Sequence, residues 1–175
     1  MADLQAAGCR AVQVDEPALR EGLPLKAERQ EGYLRWATSA FRFATAGTRP
    51  EVQLWTHICY SDVAPVLPAL EALDADVLSV EAARSGSDVL ARQLASRGYG
   101  RGVAPGLFDV HSPVVPTAAE VEGRLRAARY AGLPPERTWA VPDCGLKTRR
   151  WEEALPALRH MVQAAHALRA EAKPS

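Results

Sequence analysis

The sequence lacks an excess of charge of either sign, a long apolar run and more than a few cysteines. Its 175 residues include 21 basic and 21 acidic side chains, so no net field attracts nucleic acid or an anionic membrane. The apolar runs fall well short of the ~18 residues that predict a membrane span, and a signal-peptide pattern is absent. The three cysteines are too few for a disulfide scaffold. We therefore expect a cytoplasmic protein that binds neither nucleic acid nor membrane.

The chain is also too short for a complete (β/α)8 barrel. Such a barrel takes ~250 residues, or about 31 for each strand–helix unit, so 175 residues provide about 5.6 units. An apolar content of 47% and a charged content of 24% are typical of a folded globular protein. We predict one domain over residues 1–170 and a frayed tail over residues 171–175.

Short apolar runs rich in β-branched residues alternate with longer segments of helical periodicity. The predicted strands are residues 11–14, 51–55, 76–80, 102–108 and 138–141. The predicted helices are residues 31–46, 64–73, 87–97, 117–131 and 151–172, with the end of a further helix at residues 3–7. This alternation predicts βαβ units and a parallel sheet, and therefore an α/β fold.

Polar or metal-binding residues follow each of the five predicted strands. They are Asp15, His57 with Cys59, Glu81, His111 and Cys144. In parallel α/β folds the loops after the carboxyl ends of the strands meet on one face, where active sites lie. The mean spacing of about 32 residues is close to the ~31 residues of a barrel unit. We therefore predict a barrel-type sheet with a functional site on this face.

The pair His57 and Cys59 is the strongest indication of a metal site. Residues i and i+2 of a strand face the same way, so both side chains can reach one ion. Imidazole and thiolate suit zinc, which also accepts carboxylate ligands, and Glu81 and Cys144 would complete a set of four. Alternatively, Cys59 and Cys144 are small buried hydrophobic residues, as free cysteines often are.

Other polar residues near the predicted face allow two interpretations each. Asp15 either binds substrate or caps a turn. His111 is either a proton donor, because histidine titrates near neutral pH, or an exposed turn residue. The basic cluster at residues 147–150 is either solvated or binds an anionic substrate tail. Cys9 precedes the first strand, lies off the face, and is interpreted as structural.

Five motifs of the chain occur in the same order in one enzyme family. They are VQVDEPALREGLPL at residues 12–25, THICY at 56–60, DADV at 74–77, DVHSP at 109–113 and PDCGLKTR at 142–149. Through them the sequence resembles cobalamin-independent methionine synthase from about residue 3 to residue 169. The first and last motifs are the most specific.

The resemblance implies a zinc-dependent methyltransferase. The methyl group would pass from 5-methyltetrahydrofolate, carrying a polyglutamate tail, to homocysteine, giving methionine. The implied Zn²⁺ ligands are His57, Cys59, Glu81 and Cys144. By the same resemblance Asp15 would hold the amino acid substrate, Glu21 would contact the folate, and His111 would donate a proton.

The family has two barrel domains, and the chain resembles only the latter part of the C-terminal catalytic one. We therefore expect a partial (β/α)8 TIM barrel of about five parallel strand–helix units, with the early strands missing. Such a chain would be active with a partner chain, or by self-association, that supplies those strands. The alternatives are a truncated non-catalytic zinc- and thiol-binding remnant, and a sister thiol methyltransferase with another methyl donor. Glu21 and its motif argue against the last.

Overall fold

Strands and helices alternate along the chain in a computed structural model that describes residues 1–59 and 63–172. The helices are α1 (Ala2–Ala6), α2 (Ala18–Glu21), α3 (Ala27–Thr45), α4 (Leu67–Ala72), α5 (Ser87–Ala95), α6 (Ala118–Tyr130) and α7 (Trp151–Ala172). The strands are β1 (Ala11–Asp15), β2 (Gln53–Ile58), β3 (Val77–Val80) and β4 (Gly102–Pro105). Tyr60 of the THICY motif and the last three residues of the predicted tail lie outside the described residues. Within the described ranges, no helix has the length and apolar character needed to span a membrane.

The sheet has four parallel strands in the order β1-β2-β3-β4. In the first pair, Ala11 lies opposite Gln53 and Asp15 lies opposite His57. Spatial order thus follows chain order, and each connection between neighbouring parallel strands contains a helix, as in part of a (β/α)8 barrel. The predicted α/β class and partial TIM barrel are confirmed.

The fifth predicted strand, residues 138–141, is present as two isolated parallel bridges. Thr138 pairs with Val103, and Val141 pairs with Gly106. The backbone N–H of Trp139 donates to the Val103 carbonyl over 2.9 Å. The next bond of a parallel ladder would come from the N–H of residue 105, which is a proline and has none. Pro105 therefore explains why this segment forms no regular strand.

The chain divides into two compact units, the first of which is Met1–Leu78. In this unit the Thr56 hydroxyl donates to the Val14 carbonyl over 3.0 Å, which joins β2 to β1 beside the register pairs. Fully or almost fully buried side chains form its apolar interior, among them Leu19, Phe41, Ile58, Leu67 and Leu70. This packing fixes the carboxyl ends of β1 and β2, where Asp15 and His57 lie.

The second unit begins at Ser79. Its core includes Leu107, Phe108, Val121, Leu125, Ala157 and Ala164, which come from α6, α7 and the segment after β4. A capping box begins α6: the Thr117 hydroxyl accepts the Glu120 N–H, and the Glu120 carboxylate accepts the Thr117 N–H. This core positions the segments that follow β3 and β4.

Candidate metal centre

The carboxyl end of β2 carries two predicted ligands, His57 and Cys59. His57 is the fifth residue of the strand and only 5% exposed. Cys59 follows the strand directly and is half-buried. Strand alternation gives the two side chains the same direction, as the sequence spacing predicted.

The other two predicted ligands lie in the second unit. Glu81 comes directly after β3, and Cys144 comes three residues after the bridge at Val141. Both side chains are half-buried and therefore remain accessible to an ion or a substrate.

The four predicted ligands form one group. One ligand atom from each of His57, Cys59, Glu81 and Cys144 lies within 4.8 Å of the other three. The group offers an imidazole nitrogen, two thiol sulfurs and a carboxylate oxygen, which is a set that zinc binds tetrahedrally. Tetrahedral zinc bonds of about 2.0–2.3 Å place neighbouring ligand atoms about 3.3–3.8 Å apart, which is within that limit. The donor set and its spacing therefore fit a zinc ion.

A buried carboxylate, Asp143, lies beside this group in sequence. Its Oδ1 accepts hydrogen bonds from the backbone N–H groups of Ala82 and Ala83, each over 2.9 Å. Burial raises the pKa of the Asp143 carboxyl above its ordinary value, and the Glu81 and Asp109 charges add to that rise. The two backbone hydrogen bonds oppose it. No role was predicted for Asp143 from the sequence. Its position directly before the predicted ligand Cys144 was the one feature of the sequence that could have indicated a role.

His111 lies in an exposed loop after β4. Its backbone N–H donates to Asp109 Oδ1 over 2.8 Å, and the Arg84 guanidinium donates to Asp109 Oδ2 over 3.0 Å. The His111 hydrogen bond and the Arg84 charge hold the pKa of the Asp109 carboxyl below its ordinary value. The loop is thus fixed through its backbone, and the imidazole is open to solvent.

The predicted substrate residues lie at the carboxyl end of β1 and just beyond it. Asp15 is exposed and accepts a hydrogen bond from Gln13 Nε2 over 2.8 Å. Glu21 is exposed and ends α2, a single helical turn that was not predicted from the sequence. Both carboxylates are therefore accessible to a ligand, and their roles stay predictions.

Tyr33 of α3 holds the segment between these two carboxylates, which sequence reasoning did not identify. Its phenol O–H donates to the Ala18 carbonyl. A Cβ at Gly22 would lie 2.6 Å from the phenol oxygen, so a larger residue there would displace the phenol. Burial raises the pKa of the Glu16 carboxyl, and a hydrogen bond from the Leu19 backbone opposes that rise. Burial is also the larger cause that raises the pKa of the Tyr33 phenol, and the negative charge of Glu16 is the smaller one. Tyr33 therefore stays protonated at neutral pH and keeps its hydrogen bond.

The basic cluster at residues 147–150 contributes to the start of α7. Arg149 lies 3.5 Å and Arg150 lies 3.4 Å from the Glu153 carboxylate. Lys147 is exposed. These ion pairs give the two arginines a structural role at the helix terminus.

Comparison with known proteins places these residues in a family. The family model described as "Cobalamin-independent synthase, Catalytic domain" matches residues 1–167. The chain is 56% identical over 168 residues to the 5-methyltetrahydropteroyltriglutamate–homocysteine methyltransferase of Synechococcus sp. (strain JA-2-3B'a(2-13)), covering 96% of this chain and 22% of that protein. It is 50% identical over 175 residues to the protein of the same name from Thermosynechococcus vestitus, covering 100% of this chain and 23% of that protein.

A solved structure gives the same result for the fold. The chain superposes on a B12-independent methionine synthase from Shewanella sp. W3-18-1, solved in complex with selenomethionine, with a TM-score of 0.72 at 21% identity. The match covers 97% of this chain and 51% of that one. By contrast, the chain spans less than a quarter of the length of the two methyltransferases named above. With nearly all of its residues matched, the chain belongs to the family of cobalamin-independent methionine synthase catalytic domains.

Proposed function

We propose that this chain takes part in zinc-dependent methyl transfer from 5-methyltetrahydrofolate, with its polyglutamate tail, to homocysteine, giving methionine. The observation that carries the proposal is the group of four ligand atoms within 4.8 Å in a member of this family. Its nitrogen, oxygen and two sulfur donors favour zinc over magnesium or calcium, which prefer oxygen ligands.

The reaction forms a sulfur–carbon bond and breaks a nitrogen–carbon bond. The thiol of homocysteine must therefore lose a proton, and the nitrogen that loses the methyl group must gain one. A bound zinc ion supplies the positive charge that lowers the pKa of a thiol beside it. His111 is proposed to protonate the leaving nitrogen, because its imidazole is exposed in the loop after β4 and histidine is the most frequent general acid in enzymes.

Asp15 is proposed to bind the amino group of homocysteine. Its carboxylate is exposed, and Asp15 lies opposite His57 in the β1–β2 register. Neighbouring strands are about 4.8 Å apart, so Asp15 lies beside a proposed zinc ligand. Glu21 is proposed to contact the folate, since its exposed carboxylate ends the helical turn that follows Asp15.

Further substrate contacts are proposed to come from protein beyond these 175 residues. The chain covers 22% and 23% of the relatives named for this methyl transfer. The additional protein would belong to the same polypeptide, a second copy or a partner chain. Aligned reactants account for about 7–11 kcal/mol of a barrier, so the completeness of the substrate site strongly affects turnover.

The experiment is an assay of methionine formation. Zinc-loaded protein receives homocysteine and 5-methyltetrahydropteroyltriglutamate, alone and together with a second chain carrying the remaining length of a relative. We expect methionine in the combined sample, its loss in Cys144→Ser, and a fall of about 10²- to 10⁴-fold in His111→Asn. His166→Asn, which changes an exposed histidine of α7, is the matched control and should retain the parent rate.

The same assay separates the two classes of function. Protein that holds zinc and forms no methionine in either sample contradicts methyl transfer. That result would favour the non-catalytic zinc- and thiol-binding remnant.

A further inference from the structure

Asp143 is the only fully buried acidic residue among the described residues, with 5% exposure. One of its oxygens, Oδ1, accepts both the Ala82 and the Ala83 N–H, each over 2.9 Å. The Asp143 backbone N–H donates to the Phe108 carbonyl over 3.1 Å. Asp143 thus joins the segment after β3 to its own segment and to the one after β4.

The residues that Asp143 joins are the immediate neighbours of two proposed zinc ligands. Glu81 directly precedes Ala82, and Cys144 directly follows Asp143. One carboxylate therefore fixes the backbone beside a carboxylate ligand and beside a thiolate ligand.

Arg124 of α6 holds the Ala83 segment from its other side. Its Nη1 donates to the Ala83 carbonyl over 3.2 Å and to the Leu107 carbonyl over 3.0 Å. Ala83 is thus bound through its N–H by Asp143 and through its carbonyl by Arg124. The peptide groups on both sides of Ala83 are therefore fixed, and with them the backbone that follows Glu81.

Gly106 provides the space that Asp143 occupies. A Cβ at this position would lie 2.0 Å from Asp143 Oδ1 and 2.7 Å from Asp143 Cα. Both distances are far below a van der Waals contact, so any other residue at position 106 displaces the carboxylate. The close approach of Asp143 to the end of β4 therefore requires glycine.

We propose that Asp143 is a positioning residue of the metal centre, which sets the Glu81 and Cys144 ligands at a fixed separation before the ion binds. The inference rests on the proposed zinc site. Asp143 acts through the backbone and is not itself a ligand. Groups outside the ligand set that orient the ligands typically contribute about 10- to 100-fold to metal affinity.

The experiment measures zinc affinity by competition with a chromophoric chelator, on protein shown by circular dichroism to be folded. We expect Asp143→Ala to weaken zinc binding by about 10- to 100-fold. Asp143→Asn should stay within a few-fold of the parent, because its amide oxygen still accepts the same two N–H groups. Gly106→Ala should behave like Asp143→Ala, since its methyl group displaces the carboxylate.

A matched control separates positioning from stability. Asp76 lies just before β3, and its carboxylate accepts the Leu54 N–H over 2.7 Å. Asp76→Ala should lower the melting temperature and leave zinc affinity at the parent value. The absorption spectrum of the Co²⁺-substituted protein is the second readout: Asp143→Ala should alter its ligand-field bands, and Asp143→Asn and Asp76→Ala should not.

The outcomes distinguish this inference from the proposed function. Parent affinity and an unaltered cobalt spectrum in folded Asp143→Ala would overturn the positioning role and leave the zinc site standing. A parent protein that binds no zinc would overturn both. If Asp143→Ala does not fold, Gly106→Ala decides: weakened binding supports the proposal, and parent binding overturns it.

Discussion

At the scale of single residues, Asp109 holds the loop that contains His111. It accepts the His111 N–H through Oδ1 and the Arg84 guanidinium through Oδ2. These interactions stabilise the charged carboxylate, so its pKa in the folded chain lies below the ordinary value of 3.8. A carboxyl whose pKa is lower in the folded than in the unfolded chain stabilises the fold only while it is ionised.

We therefore predict that the stability contributed by Asp109 depends on pH. It should be fully present above the unfolded pKa of 3.8 and disappear as the pH falls through the lower folded pKa. Urea unfolding of the parent and of Asp109→Asn should thus show a less stable variant near neutral pH and converging stabilities below pH 3.8. Arg84→Gln should retain most of this pH dependence, because the His111 hydrogen bond is the larger cause. An Asp109→Asn difference that does not change with pH would contradict the assignment.

Some site residues are predictable from the sequence because their signal is local. His57 and Cys59 are two residues apart at a strand end. Glu81 and Cys144 were added to them because both follow predicted strands and both are residue types that bind zinc. Asp143 gave no comparable signal. Its hydrogen bonds reach residues 61 and 60 positions away, and its place depends on a glycine in a third segment.

At the scale of elements, local signals again decide what the sequence can predict. The helix at 151–172 was predicted with both its bounds, and the predicted helix at 117–131 begins at Thr117, the residue that caps α6. The four residues of α2 are too few to show a helical period. The segment at 138–141 has the composition of a strand, but Pro105 on the neighbouring β4 interrupts its ladder.

We predict that the capping box of α6 contributes measurably to stability. Thr117→Ala removes the oxygen that accepts the Glu120 N–H over 3.2 Å and should lower the free energy of unfolding by about 1 kcal/mol. Thr117→Ser keeps that acceptor and is the control. Denaturant unfolding of the three proteins measures the effect, and equal stabilities of Thr117→Ala and the parent would show that the cap is not formed.

At the scale of the whole molecule, the spacing of the strand ends was the main basis for predicting the fold. A mean step of about 32 residues between polar strand ends indicated barrel units, and the sheet has the sequential order β1-β2-β3-β4. The family relationship adds that nearly all of the chain matches one catalytic domain. The details of each ladder were not predictable, because they depend on single residues of neighbouring strands.

The central claim is that His57, Cys59, Glu81 and Cys144 together bind one zinc ion. Elemental analysis of the purified protein tests it most directly, with His57→Ala and Cys144→Ser as variants. Cys9→Ser is the matched control, because Cys9 precedes β1 and is outside the group of four ligand atoms. We predict one zinc per chain in the parent and in Cys9→Ser, and far less in the two ligand variants. Full stoichiometric zinc in both His57→Ala and Cys144→Ser would contradict the account.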